Sequence, residues 1–218
     1  MAKALLLGNG PSLLSLEVDQ INQYDLIFVC NYFCVTELAS KIKIDYYCAS
    51  DPRLFMPPNL KWLFKVYKLK PRHFVYPRKH SWLNIFFKNN FTFNYSGHKK
   101  IWLEKDFNMD IRYALPSGDT VMCDIMIPLA FSLNVEKIGF AGLDLKHTTT
   151  VEHAYDESRT GNRRRSDEYL KGVWQSNSTQ SILKQLKKLE QSSIEFDFLT
   201  GHYKNINCSE GFKNKVNG

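Results

Sequence analysis

The stretch "KALLLGNGPSL", residues 3–13, decides the fold, because a short apolar run ends abruptly in an asparagine flanked by two glycines. The apolar run has the length and composition of a buried β-strand. Gly8 and Gly10 permit a sharp turn and a close approach of the backbone to a ligand. Asn9 carries a hydrogen-bond donor and an acceptor, and the proline and serine that follow suit the start of a helix. The stretch predicts a strand, a loop and a helix, with the loop serving either a ligand or only a tight turn.

Two more strands follow at short intervals along the chain. "DLIFVCNYF" (25–33) and "IDYYCAS" (44–50) are apolar runs rich in β-branched and aromatic residues. Between them, "VTELASK" (35–41) favours a short helix. Strands that alternate with helices in this way are typical of a parallel sheet.

The middle of the chain mixes aromatic and basic residues with less regular spacing. It predicts further strands and short helices over "LKWLFKVYKL" (60–69), "HFVYP" (73–77) and "FTFNY" (91–95).

The pattern becomes regular again in the second half. Ser117 is a candidate N-cap for an apolar helix that reaches Leu133, and Pro128 should bend this helix. "KIGFAGLDL" (137–145) then has the composition of a buried strand, and "SIEFDFLT" (193–200) that of the last strand. The whole order predicts an α/β fold, a Rossmann-like and mostly parallel sheet with helices on both faces.

A polar segment, 146–177, interrupts this pattern before an amphipathic helix over 179–191. The chain of 218 residues fits one domain, 1–218, and the polar segment within it predicts a mobile lid. Three neighbouring cations of the lid either close over an anionic ligand or form a solvated charged face: Arg163, Arg164 and Arg165.

The bulk composition narrows the class of protein. A net charge of +7 suits an anionic partner, which includes nucleic acid, an acidic membrane surface or a phosphorylated substrate. No run approaches the roughly 18–20 apolar residues of a membrane helix, and the apolar stretch at the start is too short for a signal peptide. The five cysteines contain no CxxC pair and favour buried thiols in a reducing compartment. These features predict a cytoplasmic protein.

Polar turns follow several of the predicted strands. Because parallel strands end at the same side of a sheet, these turns should meet at one edge. Besides "GNGPS" they contain Asn31, Asp51 and the pair Gly142 and Asp144. Each of them taken singly is explained by a turn or a cap. Together they predict a ligand site at the carboxyl edge of the sheet.

The long helix of the second half begins at the same edge. There, Ser117 and Gly118 offer a hydroxyl and backbone N–H groups to an anion, or form an ordinary N-cap.

Four motifs, "LLLGNGPSL", "FVCNYF", "PSGDTVMCDIMIPLAFSLNVEKIGFAGLDL" and "HAYD", resemble the bacterial sialyltransferases of glycosyltransferase family 42 found in Campylobacter and Haemophilus. "GPSL" alone is also similar to a wider group of 6-hydroxymethylpterin diphosphokinase-like proteins. The resemblance implies transfer of a nonulosonic-type sugar, sialic acid or a relative, from a CMP-sugar to a glycan hydroxyl with inversion, in lipooligosaccharide or capsule synthesis. It implies no metal and no cofactor besides the donor substrate.

The same resemblance implies donor-binding roles at the sheet edge. Gly8 and Asn9 would approach the nucleotide, Asn31 the phosphate or sugar, and Gly142 with Asp144 the base and ribose. The resemblance implies that four more residues complete the donor site: Asp51, which replaces the family's asparagine, Ser117, Gly118 and Tyr155.

Two catalytic positions depart from the family. Lys146 and His153 stand where the family has tyrosines that stabilise the departing phosphate, and charge-assisted hydrogen bonds suit that role. The family's general base, a histidine before the late helix, has no counterpart near Trp174. Either another residue serves as the base, with His153 and His147 the nearest candidates, or the chemistry differs from that of the family.

Other classes of function stay open. Asp51 and Asp144 could hold Mg²⁺ in a diphosphokinase or another phosphoryl transferase. The aromatic and basic stretch 60–80 could instead form the face of a non-catalytic protein that binds nucleic acid or acidic glycans, although it contains no recognised nucleic-acid motif.

In a glycosyltransferase, the stretch 60–80 would receive the acceptor or lie against an anionic inner-membrane surface. The expected partners are then a CMP-sugar donor, a glycan or lipid-linked glycan acceptor and a second copy of the chain, with no nucleic acid.

Overall fold

The computed structural model describes residues 2–96, 99–101, 120–144, 154 and 194–200. Eight strands form one sheet: β1 (Lys3–Leu7), β2 (Leu26–Cys30), β3 (Tyr46–Cys48), β4 (His73–Pro77), β5 (Asn90–Ser96), β6 (Lys99–Ile101), β7 (Lys137–Ala141) and β8 (Glu195–Phe198). Their order is β6-β5-β4-β3-β2-β1-β7-β8. Every neighbouring pair is parallel except β5 with β6. The prediction of a mostly parallel α/β sheet is confirmed.

Strand β1 shows why the sequence folds in this way. Its residues Ala4 to Leu7 are completely buried, with Ala4 and Leu6 in the core on one face and Leu5 and Leu7 in the core on the other. A central parallel strand is covered on both faces, so it is apolar at every position and does not alternate. Burying one leucine side chain stabilises the fold by roughly 1.5–3 kcal/mol.

Helices cover both faces, as predicted. Within the described ranges, three are α-helical: α1 (Val18–Ile21), α2 (Leu60–Leu69) and α3 (Ile127–Ser132). Helix α2 packs Trp62, Leu63 and Val66 into the core that contains Leu5, whereas α3 packs Leu129 into the core on the opposite face. Among the residues that the structure describes, no helix is long and apolar enough to cross a membrane.

The second strand ends earlier than the sequence predicts. The expected strand 25–33 stops at Cys30, and Asn31–Val35 form a 3₁₀ helix. The cause is the backbone of Asn31, whose φ of 44° lies in the left-handed region that terminates an extended segment. The expected helix over 35–41 is reduced to one 3₁₀ turn, Leu38–Ser40.

The helix before β7 is irregular where proline was expected to bend it. Met122–Met126 form a π-helical segment, and α3 begins directly after it with Pro128 in its first turn. Proline has no N–H to donate to the carbonyl four residues earlier, which is that of Asp124, so the regular α-helical hydrogen-bond pattern is lost there.

Two expected features lie outside the described residues: the lid over 146–177 and the amphipathic helix over 179–191. Both stay predictions.

Candidate functional site

The direction of winding reverses between β1 and β7. Strands β2 to β5 lie on one side of β1, and β7 and β8 lie on the other. In open α/β sheets, ligands bind at the carboxyl ends of the strands near such a reversal. Strands β3, β2, β1 and β7 are consecutive neighbours, and at the usual strand spacing this row is about 14 Å long. The site is therefore an elongated strip of four strand ends.

Two glycine loops meet at the reversal. Gly8 donates its N–H to Ala141 O at 2.8 Å, and Gly10 donates to Gly142 O at 2.9 Å. Gly142 has a φ of +66°, and a Cβ placed on it would lie 2.7 Å from Gly8 O. A Cβ on Gly8 would in turn overlap the carbonyl group of Gly142. The glycines after β1 and β7 thus allow the two loops to touch, and their contact with a donor stays a prediction.

Asp144 occupies the space that a side chain on Gly10 would fill. Its Oδ2 accepts a hydrogen bond from Ser12 N at 3.1 Å, at the start of the 3₁₀ helix Pro11–Ser15. The carboxylate therefore fastens the loop after β7 to the loop after β1.

Thr200 joins the same pair of loops, and sequence reasoning missed it. Its Oγ1 accepts a hydrogen bond from Gly142 N at 2.9 Å and lies 3.2 Å from Ser12 Oγ. The side chain is buried, although it lies two residues beyond the end of β8. Its position in the sequence could have identified it as a site residue. It is a threonine at the end of a predicted strand, at the sheet edge where the other polar turns lie.

Asn9 has a buried polar group that no described residue engages. Its Nδ2 donates to Cys30 O at 3.1 Å, and its backbone O accepts from Ala154 N at 2.8 Å. Its Oδ1 is buried and has no hydrogen-bond partner within the described part of the chain. A flipped amide would point Oδ1 at the Cys30 carbonyl oxygen, so this orientation is the favourable one. A buried acceptor that receives no hydrogen bond lowers the stability of the fold by about 1–3 kcal/mol. A hydroxyl or amino group of a ligand could donate to Asn9 Oδ1 and remove this cost.

Asn31 offers the opposite group. Its Oδ1 accepts hydrogen bonds from Ser50 N at 2.8 Å and Asp51 N at 3.0 Å, which links the ends of β2 and β3. An amide oxygen has two lone pairs, so both are engaged. What Asn31 can present to a ligand is its amino group, a donor suited to phosphate or carboxylate oxygens.

Asp51 is engaged by its own turn. Its Oδ1 accepts from Arg53 N and from Arg53 Nε, both at 2.9 Å, and it caps the 3₁₀ helix Pro52–Phe55. Asp144 is held instead by Ser12 N, in the loop after β1. The two carboxylates are therefore fastened by different loops, and the phosphoryl-transferase alternative stays a prediction.

His80 also lies at this edge, and sequence reasoning missed it as a site residue. It follows the carboxyl end of β4, and its ring stacks on Phe55 at a centroid distance of 4.2 Å. Its Nε2 is buried, with no partner in the parts of the chain that the structure covers. Burial, and then the charge of Lys79, lower the pKa of His80. The imidazole is therefore neutral near pH 7 and able to accept a proton.

Several predicted site residues lie outside the described residues, and their roles stay predictions: Ser117, Gly118, Lys146, His147, His153, Tyr155, Arg163, Arg164 and Arg165. The structure brings Gly8, Asn9, Gly142 and Asp144 together through the contacts described above, with Asn31 and Asp51 on the neighbouring strand ends.

No protein-family model and no curated protein matches the chain. Among solved structures, the sialyltransferase CstII from Campylobacter jejuni in complex with CMP is 16% identical with a TM-score of 0.54, over 95% of this chain and 87% of that one. The monofunctional α-2,3-sialyltransferase Cst-I from the same organism is 14% identical with a TM-score of 0.58, over 95% and 77%. A Maf glycosyltransferase from Magnetospirillum magneticum AMB-1 is 12% identical with a TM-score of 0.60, over 94% of this chain and 33% of that one.

At these identities the likeness establishes a shared fold. The resemblance to sialyltransferases that the sequence motifs indicated is thus confirmed at the level of the fold.

Proposed function

We propose that this chain is a glycosyltransferase that moves a nonulosonic-type sugar, sialic acid or a relative, from a CMP-sugar to a hydroxyl of a glycan acceptor. The observation that carries the proposal is the buried Oδ1 of Asn9, which lacks a donor among the described residues and lies where the sheet reverses its winding. The fold supports it, because CstII of this fold has been solved with CMP and a trisaccharide acceptor.

The two asparagines fit the two kinds of group in such a donor. Asn9 presents an acceptor, which suits a ribose hydroxyl or the amino group of cytosine. Asn31, on the adjacent strand end, has only its amino group left, which suits an oxygen of the phosphate or of the sugar carboxylate. The strip of strand ends, about 14 Å long, accommodates an extended nucleotide-sugar better than a compact ion.

The reaction is a single displacement with inversion. The acceptor hydroxyl gives its proton to a base, its oxygen forms a bond to the anomeric carbon, and the bond from that carbon to the phosphate oxygen breaks. CMP leaves with the bonding electrons. Positioning of the two substrates and charge stabilisation of the phosphate supply most of the acceleration.

We assign the base to His80, with His153 as the alternative. The neutral imidazole of His80 has a buried nitrogen without a partner among the described residues, and it lies at the edge where the donor would bind. His153 and Lys146 would then neutralise the departing phosphate. Ala154, which stands between His153 and Tyr155 in the sequence, donates to the carbonyl oxygen of Asn9 and supports a role for that segment at the site.

The lid arginines, Arg163, Arg164 and Arg165, would close over the anionic donor and exclude water that would hydrolyse it. No metal or cofactor is proposed, so turnover of a CMP-sugar should persist in EDTA. A cytoplasmic place in lipooligosaccharide or capsule synthesis, and a homo-oligomeric state, are part of the same proposal.

Thermal unfolding with nucleotides tests the donor assignment. At about 100 times its Kd, a ligand stabilises the native state by about 2.7 kcal/mol, which for a chain of this size raises Tm by about 5–11 °C. CMP should give this shift, and UMP, GMP and AMP at the same concentration should give much less. Asn9→Ala should lose most of the CMP shift, whereas Asn134→Ala, at an exposed position, should keep it. Equal shifts with all four nucleotides would remove the assignment.

A further inference from the structure

Apolar side chains are exposed together on α2 and on the 3₁₀ stretch Arg78–Ile85 with its C-cap. The exposed fractions are 61% for Phe64, 49% for Tyr67, 47% for Trp82, 83% for Ile85 and 46% for Phe86. We call these five residues the aromatic patch. The ring of Phe86 lies 6.3 Å from that of Tyr67 and 6.3 Å from that of Trp82, both edge to face. The two elements therefore present one continuous surface.

The sequence of helix α2 places aromatic residues on its outer face as well as on its inner face. Its inner face buries Trp62, Leu63 and Val66 in the core. Its outer face alternates aromatic and basic residues, with Phe64 placed between the exposed Lys61 and Lys68. A helix with a buried apolar side should carry mainly polar residues on the other side. Aromatic rings among lysines on an outer face are instead typical of elements that lie in the interface of a membrane.

The segment of sequence that carries the aromatic patch has charge of one sign. Residues 52–103 contain no aspartate and no glutamate, whereas lysine or arginine recurs throughout. Four of these lysines are exposed on or beside the elements that carry the patch: Lys61, Lys68, Lys79 and Lys88. The two elements therefore combine exposed apolar area with exposed lysines, and the segment that contains them has no acidic residue.

We propose that the aromatic patch docks the protein on an anionic lipid bilayer. Trp82, Ile85 and Phe86 enter the headgroup region, and the surrounding lysines bind the lipid phosphates. Charge complementarity favours this occupant over a second copy of the chain, because a two-fold interface through the patch would bring the same cations face to face. The high exposure of Ile85, an aliphatic residue, favours lipid over nucleic acid, which stacks its bases on aromatic rings.

This inference goes beyond the proposed sugar transfer and does not depend on it. Asn9 and Asn31, the residues proposed to bind the nucleotide, are not part of the aromatic patch. The thermal shift with CMP and the binding to vesicles are therefore separate measurements, and either can fail alone.

Co-sedimentation of the full chain with vesicles tests the proposal. Vesicles of phosphatidylcholine with phosphatidylglycerol should pellet the protein, and vesicles of phosphatidylcholine alone should pellet far less. The triple variant Trp82→Ser, Ile85→Ser, Phe86→Ser should lose the binding. All three residues are exposed, so its circular dichroism should match that of the native chain. Its Tm should fall by no more than a few degrees, because only the ring contacts of Phe86 with Tyr67 and Trp82 are lost.

Charge variants provide the matched comparison. Lys61→Gln, Lys68→Gln, Lys88→Gln together should weaken binding to the anionic vesicles about 100-fold, since each cation near the surface contributes about fivefold. Lys3→Gln, Lys41→Gln, Lys43→Gln removes the same charge at other exposed positions and should leave binding within a fewfold of the native value. Leu14→Ser, with a leucine that is 74% exposed, is the apolar control.

Three results would overturn the proposal. The patch variants could bind anionic vesicles as tightly as the native chain. The native chain could be a dimer and the serine variant a monomer in analytical sedimentation, with neither protein binding vesicles. That result would assign the patch to a contact with a second copy of the chain. A single-stranded RNA could bind through the patch while anionic vesicles do not.

Discussion

Replacement of Gly142 by alanine tests whether the loops after β1 and β7 require two glycines in contact. Gly142 has a φ of +66°, and an added Cβ would lie 2.7 Å from Gly8 O and 3.3 Å from Leu13 Cβ. The nearest obstacle is backbone, which is fixed by the hydrogen bond from Gly8 N to Ala141 O and cannot swing aside as a side chain would.

The cost of Gly142→Ala has two parts. An L-residue in the left-handed region loses about 1–2 kcal/mol relative to glycine. An overlap with rigid neighbours in a packed site adds about 1–3 kcal/mol. The free energy of unfolding should therefore fall by about 3 kcal/mol, which for a chain of this length lowers Tm by about 6–12 °C.

Two matched variants separate these parts. Asn134→Ala also places alanine at a positive φ, 52°, but at an exposed position, so it should lose only the backbone part, about 1 kcal/mol. Gly8→Ala creates the reciprocal overlap with the Gly142 carbonyl without a left-handed backbone and should lose the steric part. Urea unfolding measures all three. If Gly142→Ala costs no more than Asn134→Ala, the loops are not in contact and the geometry of the site described above is wrong.

Two further predictions concern the candidate base and alkaline pH. His80→Phe should lower kcat for CMP-sugar turnover at least about 100-fold while Tm holds or rises. Phenylalanine keeps the stack on Phe55 and removes a buried nitrogen that has no partner among the described residues. In the native chain the acid limb of the pH–rate profile should lie below pH 6.5, and unchanged turnover of the variant would transfer the role to His153. Burial raises the pKa of Cys30 from its ordinary 9.0 to about 12 and that of Cys34 to about 11. The folded state therefore holds these protons more tightly than the unfolded chain, so stability should be fully present below pH 9 and fall as pH rises toward 11 and 12; a Tm that stays level between pH 8 and 11 would contradict this.

The central strands were predictable because their burial leaves a local signature. Parallel strands covered on both faces are apolar at consecutive positions, which is what "ALLL" and "IFVC" show. The turns after them were recognisable by glycine, asparagine and aspartate, and Asn9, Asn31, Asp51 and Asp144 do lie on four neighbouring strand ends. Local composition was enough to locate the edge, because parallel strands must end together.

The contacts at that edge were not predictable, because they depend on which strands become neighbours. Asn31 carries no sequence signal that its amide oxygen takes two N–H groups at the end of β3, and Thr200 none that it holds Gly142, 58 residues earlier. His80 sits in a basic run, "YPRKH", that indicates only exposed charge, yet packing on Phe55 buries its ring nitrogen. Each of these links joins loops that follow different strands. These links fix the loops without a ligand, so the fold itself holds the unused groups of Asn9 and Asn31 in place. Hydrogen-bonding groups that are fixed in advance can stabilise a transition state at little cost in reorganisation.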